Sequence, residues 1–261
     1  MGTVLILACA FAAQDDGWKA LQRDAYTIRF RPEVEKDAQE IDGYLRRAVV
    51  QMSEEFADHD PQAILRSVAS CVLILHDTPN AQANPAIATA ITQRSERGYE
   101  AEIHLLAPSR HPPGLLDNVG KPMDGDYFFR LVVHEYSTVF LEQIRRRAGW
   151  RHAPDWFVQG YEEWLGLTRS TDRNRTERLD RYRKILKEDP ARIDFSFGID
   201  VREPYVDGVV LLDFLHAEFG RKRVQAILAS PESSFGRAMR KELGVGLSEM
   251  ERRFAAWRKR L

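Results

Sequence analysis

Residues 131–143 read LVVHEYSTVFLEQ and residues 154–164 read PDWFVQGYEEW. Both stretches carry helical spacing, with apolar residues returning every three or four positions. The first contains an adjacent His134–Glu135 pair. Thr138 lies four residues after His134, so the two share a helix face. Gln159 lies 25 residues after His134, and Glu163 falls one turn beyond it on the same face.

These two helices sit inside a longer helical tract. After the breaker cluster HPPG at 111–114, segments 126–147, 155–167, 174–187, 205–219, 221–229, 233–242 and 247–260 all read as helical. Gly220 and Pro231 fall at sensible helix ends. The Arg-rich stretch 169–187 interleaves Asp172, Glu177 and Asp180 and reads as a solvated helix face. The N-terminal half is different. AYTIRF (25–30) alternates like a strand, and Pro32 opens a helix. Val34, Ala38, Ile41, Leu45, Val49, Met52 and Phe56 form its buried face. CVLILH (71–76), AITQRS (90–95) and AEIHLLA (101–107) read as further strands, with SERG (95–98) turning between the last two. The expected fold class is α+β: a small mixed sheet with one helix (14–125), then a mainly helical lobe (126–261), together one domain.

The chain has 261 residues, 44% hydrophobic and 30% charged, and a net charge of -1. That balance offers no electrostatic footprint for nucleic acid or an anionic membrane surface. No apolar run reaches the roughly 20 residues of a membrane-spanning helix. Residues 1–13 resemble a short signal peptide, with an apolar run from Val4 to Ala13 and small residues at Ala10 and Ala12, although no basic residue precedes the run. The expectation is export, to the periplasm or outside the cell; a buried N-terminal strand or helix is the alternative. Cleavage near Ala13 removes Cys9 and leaves Cys71 alone, without an internal disulfide partner. Cys71, in an apolar run, reads as a small buried hydrophobe.

The spacing of His134 and Thr138 is that of H-E-x-x-H, in which two imidazoles on one helix face bind a metal and the glutamate takes a proton from metal-bound water. An H-E pair alone is weak, since a satisfied core histidine is the favoured explanation of it. The downstream helix adds to it. Here the chain resembles the peptidase MA-like gluzincins, zinc metallopeptidases whose third ligand is a glutamate in a helix of the form P-x-W-x-x-E-G-x-A-E-[YW]. Pro154, Trp156, Gly160, Glu163 and Trp164 match that form, Gln159 stands at the ligand position, and Glu162 stands where alanine is usual. The resemblance covers roughly residues 25–260. It extends to AEIHLLA, taken as an edge strand beside the cleft, and to the Y-x-x-G helix beginning at Tyr205.

The resemblance implies a gluzincin-like fold, with His134 as first zinc ligand and Glu135 as general base. Thr138 and Gln159 replace the other two ligands, and Glu163 orients a ligand from behind. Tyr205 matches an oxyanion-supporting tyrosine of some members; a core aromatic is its alternative reading. A hydroxyl and a carboxamide do not replace an imidazole and a carboxylate on zinc. The expectation is therefore a pseudopeptidase without a catalytic cofactor, holding an extended peptide or partner protein in its remaining cleft. The alternative is an active zinc peptidase with unusual ligation drawn from His104, His111, His152, Asp155 or Glu163. A hydrolase of another kind, using paired carboxylates, stays open. His76 carries no signal, and His216 is expected on the flank of a packed helix.

Overall fold

A computed structural model describes residues 17–85, 88–95, 98–117, 120–149, 153–171, 173–196 and 198–261. The expected signal segment with Cys9, the centre of the SERG turn and His152 lie outside the described residues.

The protein is α+β, with a small mixed sheet near the N-terminus followed by helices. Strands β1 (Lys19–Gln22), β2 (Thr27–Phe30), β3 (Val68–His76), β4 (Thr89–Ser95) and β5 (Gly98–Leu106) are ordered β1-β2-β3-β5-β4. β2, β3 and β5 run parallel, while β1 and β4 are antiparallel at the two edges. Helix α1 (Glu35–Glu55) connects β2 to β3, following a 3-10 turn at Pro32–Val34 and preceding the short α2 (Pro61–Ser67). Ala38, Ile41, Leu45 and Met52 of α1 are buried in one core with Ile28, Phe30, Leu73, Leu75, Ile103 and Leu105 of the sheet. On β3 and β5 those buried residues alternate, because a strand sends successive side chains to opposite faces.

One expectation is corrected here. AEIHLLA belongs to β5, which is paired on both sides; the open edge is β4. Alternation looks the same in a central and an edge strand, so the pattern could not tell them apart. The Arg-rich stretch also departs from a wholly solvated face, since Arg178 is fully buried beside Asp117, and Tyr182 and Leu186 are buried too.

The expected helices are present, and two short strands, β6 (Ile193–Asp194) and β7 (Asp200–Val201), add a small hairpin. The helices are α3 (Gly125–Arg147), α4 (Asp155–Arg169), α5 (Arg175–Glu188), α6 (Pro204–Phe219), α7 (Arg221–Ala229), α8 (Phe235–Leu243) and α9 (Leu247–Arg258). Asp124 caps α3 by accepting from the amides of Asp126 and Tyr127 at 3.1 and 3.2 Å. Arg145, Arg146 and Arg147 occupy its last turn, where cations oppose the helix dipole. α6 is apolar nearly all round, with Val209 to Leu212, Phe214 and Leu215 all buried, which suits a central helix. No helix among the described residues is long and apolar enough to cross a membrane.

α4 crosses α6 at Gly160 and Gly208. A Cβ on Gly208 would lie 2.3 Å from the Trp156 carbonyl oxygen, and one on Gly160 would lie 2.5 Å from the Gly208 carbonyl carbon. Both obstacles are backbone, so neither can swing aside. Gly208→Val is expected to lower the unfolding free energy by about 3 kcal/mol in urea titrations. Gly43→Ala on α1, where an added Cβ meets nothing within 4 Å, is expected to raise it by about 0.5–1 kcal/mol.

Candidate functional site

Arg130, His134 and Thr138 are spaced by four along α3 and so share one face. Gln159, Glu162, Glu163 and Gly166 form the matching face of α4. The two helices close tightly where Gly166 meets α3, since a Cβ there would lie 3.2 Å from the Arg130 carbonyl oxygen and 3.3 Å from the His134 Cβ.

Glu163 is the centre of the cluster. Arg130 Nη1 donates to both of its oxygens, at 2.9 and 2.8 Å. His134 Nδ1 donates to its Oε2 at 3.0 Å, and the Tyr182 hydroxyl of α5 donates to its Oε1 at 3.3 Å. Burial works against the charge on Glu163, but Arg130 and His134 outweigh it and hold the carboxyl down at about 2. The same pairing acts in reverse on His134. Burial opposes its protonation, yet the Glu163 hydrogen bond and the charges of Glu135, Glu163 and Glu162 push its pKa up to about 9. The ring is therefore an imidazolium at neutral pH.

Glu135 and Glu162 complete the cluster, and both are buried. Burial raises the Glu135 pKa, as its place between the buried Val132 and Val139 leads one to expect; His134 and the Ala90 backbone N–H, which donates to it from β4, only partly offset this. Burial pushes Glu162 up to about 7, despite the nearby His134 charge and the polar Thr138 side chain. Tyr205 lies over the His134 ring, with centroids 6.0 Å apart and planes 18° from parallel. It is 47% exposed, so it is not a core aromatic. A reciprocal cap starts its helix: Glu203 accepts from the Tyr205 amide at 3.1 Å, and Asp207 accepts from the Glu203 amide at 2.8 Å.

The structure thus joins His134, Glu135, Thr138, Glu163 and Tyr205. Gln159 is half-buried one turn before Glu163 and takes no part in the hydrogen bonds among the described residues of the cluster. Of the residues proposed to rescue a metal, Glu163 is in the cluster, His152 lies outside the described residues, and the others lie elsewhere. His104 Nδ1 meets His76 Nε2 at 3.0 Å, His111 packs against Phe128, and Asp155 is exposed at the start of α4. His216 flanks α6 as expected, stacked on Trp164 with centroids 4.0 Å apart. Cys71 is buried, and burial pushes its thiol up to about 12, so it is a poor nucleophile.

The donor set does not fit a gluzincin zinc. Thr138 and Gln159 offer a neutral hydroxyl and a carboxamide in place of an imidazole and a carboxylate, and Glu163 already accepts from three side chains. Among the described residues, no group of three or more His, Cys, Asp or Glu side chains is placed to hold a metal ion. Chemically, the cluster offers a carboxyl that titrates near neutrality (Glu162) beside an imidazole whose pKa is pushed up. Arg130 was not singled out from the sequence, and Glu162 was noted only as standing where alanine is usual. Their signals are present in it: Arg130 lies four residues before His134, and Glu162 adjoins Glu163.

The sequence matches no protein-family model, and no curated protein matches it significantly.

Two measurements check the electrostatics. In Glu163→Gln the His134 imidazole loses its main supporting partner, so its pKa, followed by NMR, is expected to fall from about 9 to near or below 6.5. A buried acid with a raised pKa binds more protons folded than unfolded, so it costs stability as pH rises from about 4.5 towards about 7. Glu162→Gln removes that cost. The difference in unfolding free energy between variant and wild type is expected to move in favour of the variant between pH 4.5 and 7, and to level off above.

Proposed function

We propose that this chain is an exported gluzincin-like pseudopeptidase that holds an extended peptide segment of a partner protein along β4 and does not cleave it. The observation that carries this reading is the Arg130–Glu163–His134 pairing. A neutral threonine stands at the second-ligand position, and Glu162 stands where the family has alanine. The pairing balances the cluster internally: two fixed cations face carboxyl groups, and zinc is not required to neutralise them. Export rests on the N-terminal sequence pattern.

The peptide part of the reading rests on what lies above the cluster. β4 is an edge strand, and an unpaired edge is a template for strand addition. The Ala90 amide points outward to Glu135, and the alternation of an antiparallel ladder puts the Thr92 amide and carbonyl on the same open side. Ile91, 38% exposed, and Tyr205, 47% exposed, flank that edge and offer apolar surface to an incoming side chain.

Protein purified without added metal is expected to carry far less than one zinc per chain by elemental mass spectrometry. Near-stoichiometric zinc that disappears in His134→Ala would instead favour an active metallopeptidase with unusual ligation. Combining Thr138→His, Gln159→Glu and Glu162→Ala is expected to create stoichiometric zinc binding, because the three positions face one another across α3 and α4. Strand addition has its own test. A peptide selected against the full chain from a random display library is expected to bind at least tenfold more weakly to Thr92→Pro, which removes one outward amide and leaves the β4–β5 ladder intact. Selected peptides that bind the variant unchanged would remove strand addition from the reading.

A further inference from the structure

A second feature lies at the start of α4, apart from the His134 cluster. A cavity of about 440 Å³ opens between the start of α4, α8 and the start of α9. This is within the size range of small-molecule sites, about 300–1,000 Å³. Trp156, Phe235, Met239, Leu247 and Met250 line it, with Arg240 beside them. Trp156 and Phe235 meet edge to face, with centroids 5.5 Å apart, which gives the wall a rigid aromatic corner. Gly236 and Gly246 both line the cavity, and a Cβ on either meets nothing within 4 Å.

Arg240 supplies the charge at the edge of this apolar wall. Arg240 is exposed and has no carboxylate within ion-pairing distance among the described residues, whereas its neighbour Lys241 pairs with Glu232 at 3.2 Å. A ligand complementary to this wall has an apolar body and an end that only accepts hydrogen bonds and carries negative charge. A carboxylate meets both conditions.

We propose that this cavity is a binding site for a free monocarboxylate with an apolar tail, its chain against Trp156, Phe235 and the two methionines and its carboxylate on Arg240. The site is separate from the strand-addition edge, so its test is independent of the peptide reading.

The test is calorimetric titration of the full chain with decanoate and, in parallel, with the uncharged decanol. Saturable one-to-one binding of decanoate is expected, about tenfold or more tighter than decanol. Arg240→Gln is expected to bring decanoate down to the affinity of decanol and to leave decanol unchanged. Gly236→Phe, which fills the cavity from a position with open space, is expected to abolish both without lowering the melting temperature. Absence of saturable decanoate binding, or undiminished binding in Gly236→Phe, would overturn the site. Equal affinities for decanoate and decanol, or no effect of Arg240→Gln, would overturn the carboxylate assignment.

Discussion

A buried carboxylate is stable only where enough donors converge on it, and Glu163 has them from two other helices. Arg130 and His134 reach it from α3 and Tyr182 reaches it from α5, while Glu163 itself belongs to α4. The desolvation cost of an ion in a protein interior is several kcal/mol, so removing a donor leaves a cost that the surrounding apolar packing cannot offset. That requirement fixes the spacing of α3 against α4, and the spacing in turn requires a glycine at 166. The Gly160–Gly208 crossing does the same for α4 against α6 and brings the first turn of α6, with Tyr205, over the His134 ring. The position of every residue in the cluster follows from these close approaches.

The cluster's character follows from the same pairings. In an H-E-x-x-H site the first histidine offers a lone pair to a metal, and the carboxylate behind it raises its basicity. Here the same carboxylate sits behind His134, but the neighbours at the other ligand positions are neutral and two further glutamates stand close by. The surroundings favour a proton on the ring. Thr138 stands four residues after His134, where an H-E-x-x-H helix has its second imidazole, and burial pushes the Glu162 carboxyl up to about 7. A site whose charges pair within the cluster is balanced within itself, which is the physical ground for the proposed reading as a binding surface.

Much of the architecture was legible in the residues. The helices after residue 125 follow from apolar spacing of three and four, and the strand at 71–76 from a short apolar run bounded by Asp77 and Pro79. Burial selects these patterns locally, so they survive without knowledge of the neighbours. Other features depend on distant partners and left no comparable trace. Alternation in AEIHLLA is the same whether one or both sides are paired, so the true edge, β4, was missed. Arg178 looks like any arginine on a charged helix until Asp117, 61 residues earlier, is brought beside it.

The sequence by itself determined that His134 and Glu135 lie on one helix, that Thr138 shares the His134 face, and that Gln159 and Glu163 share another face, because helical periodicity is a local property of the chain. Only the tertiary structure decided that these faces meet, that Arg130, His134 and Tyr182 converge on Glu163, and that burial pushes the Glu162 carboxyl up. Those outcomes depend on distances of about 3 Å between groups on different helices and on how completely water is excluded around them, and neither is written in the order of residues along one helix.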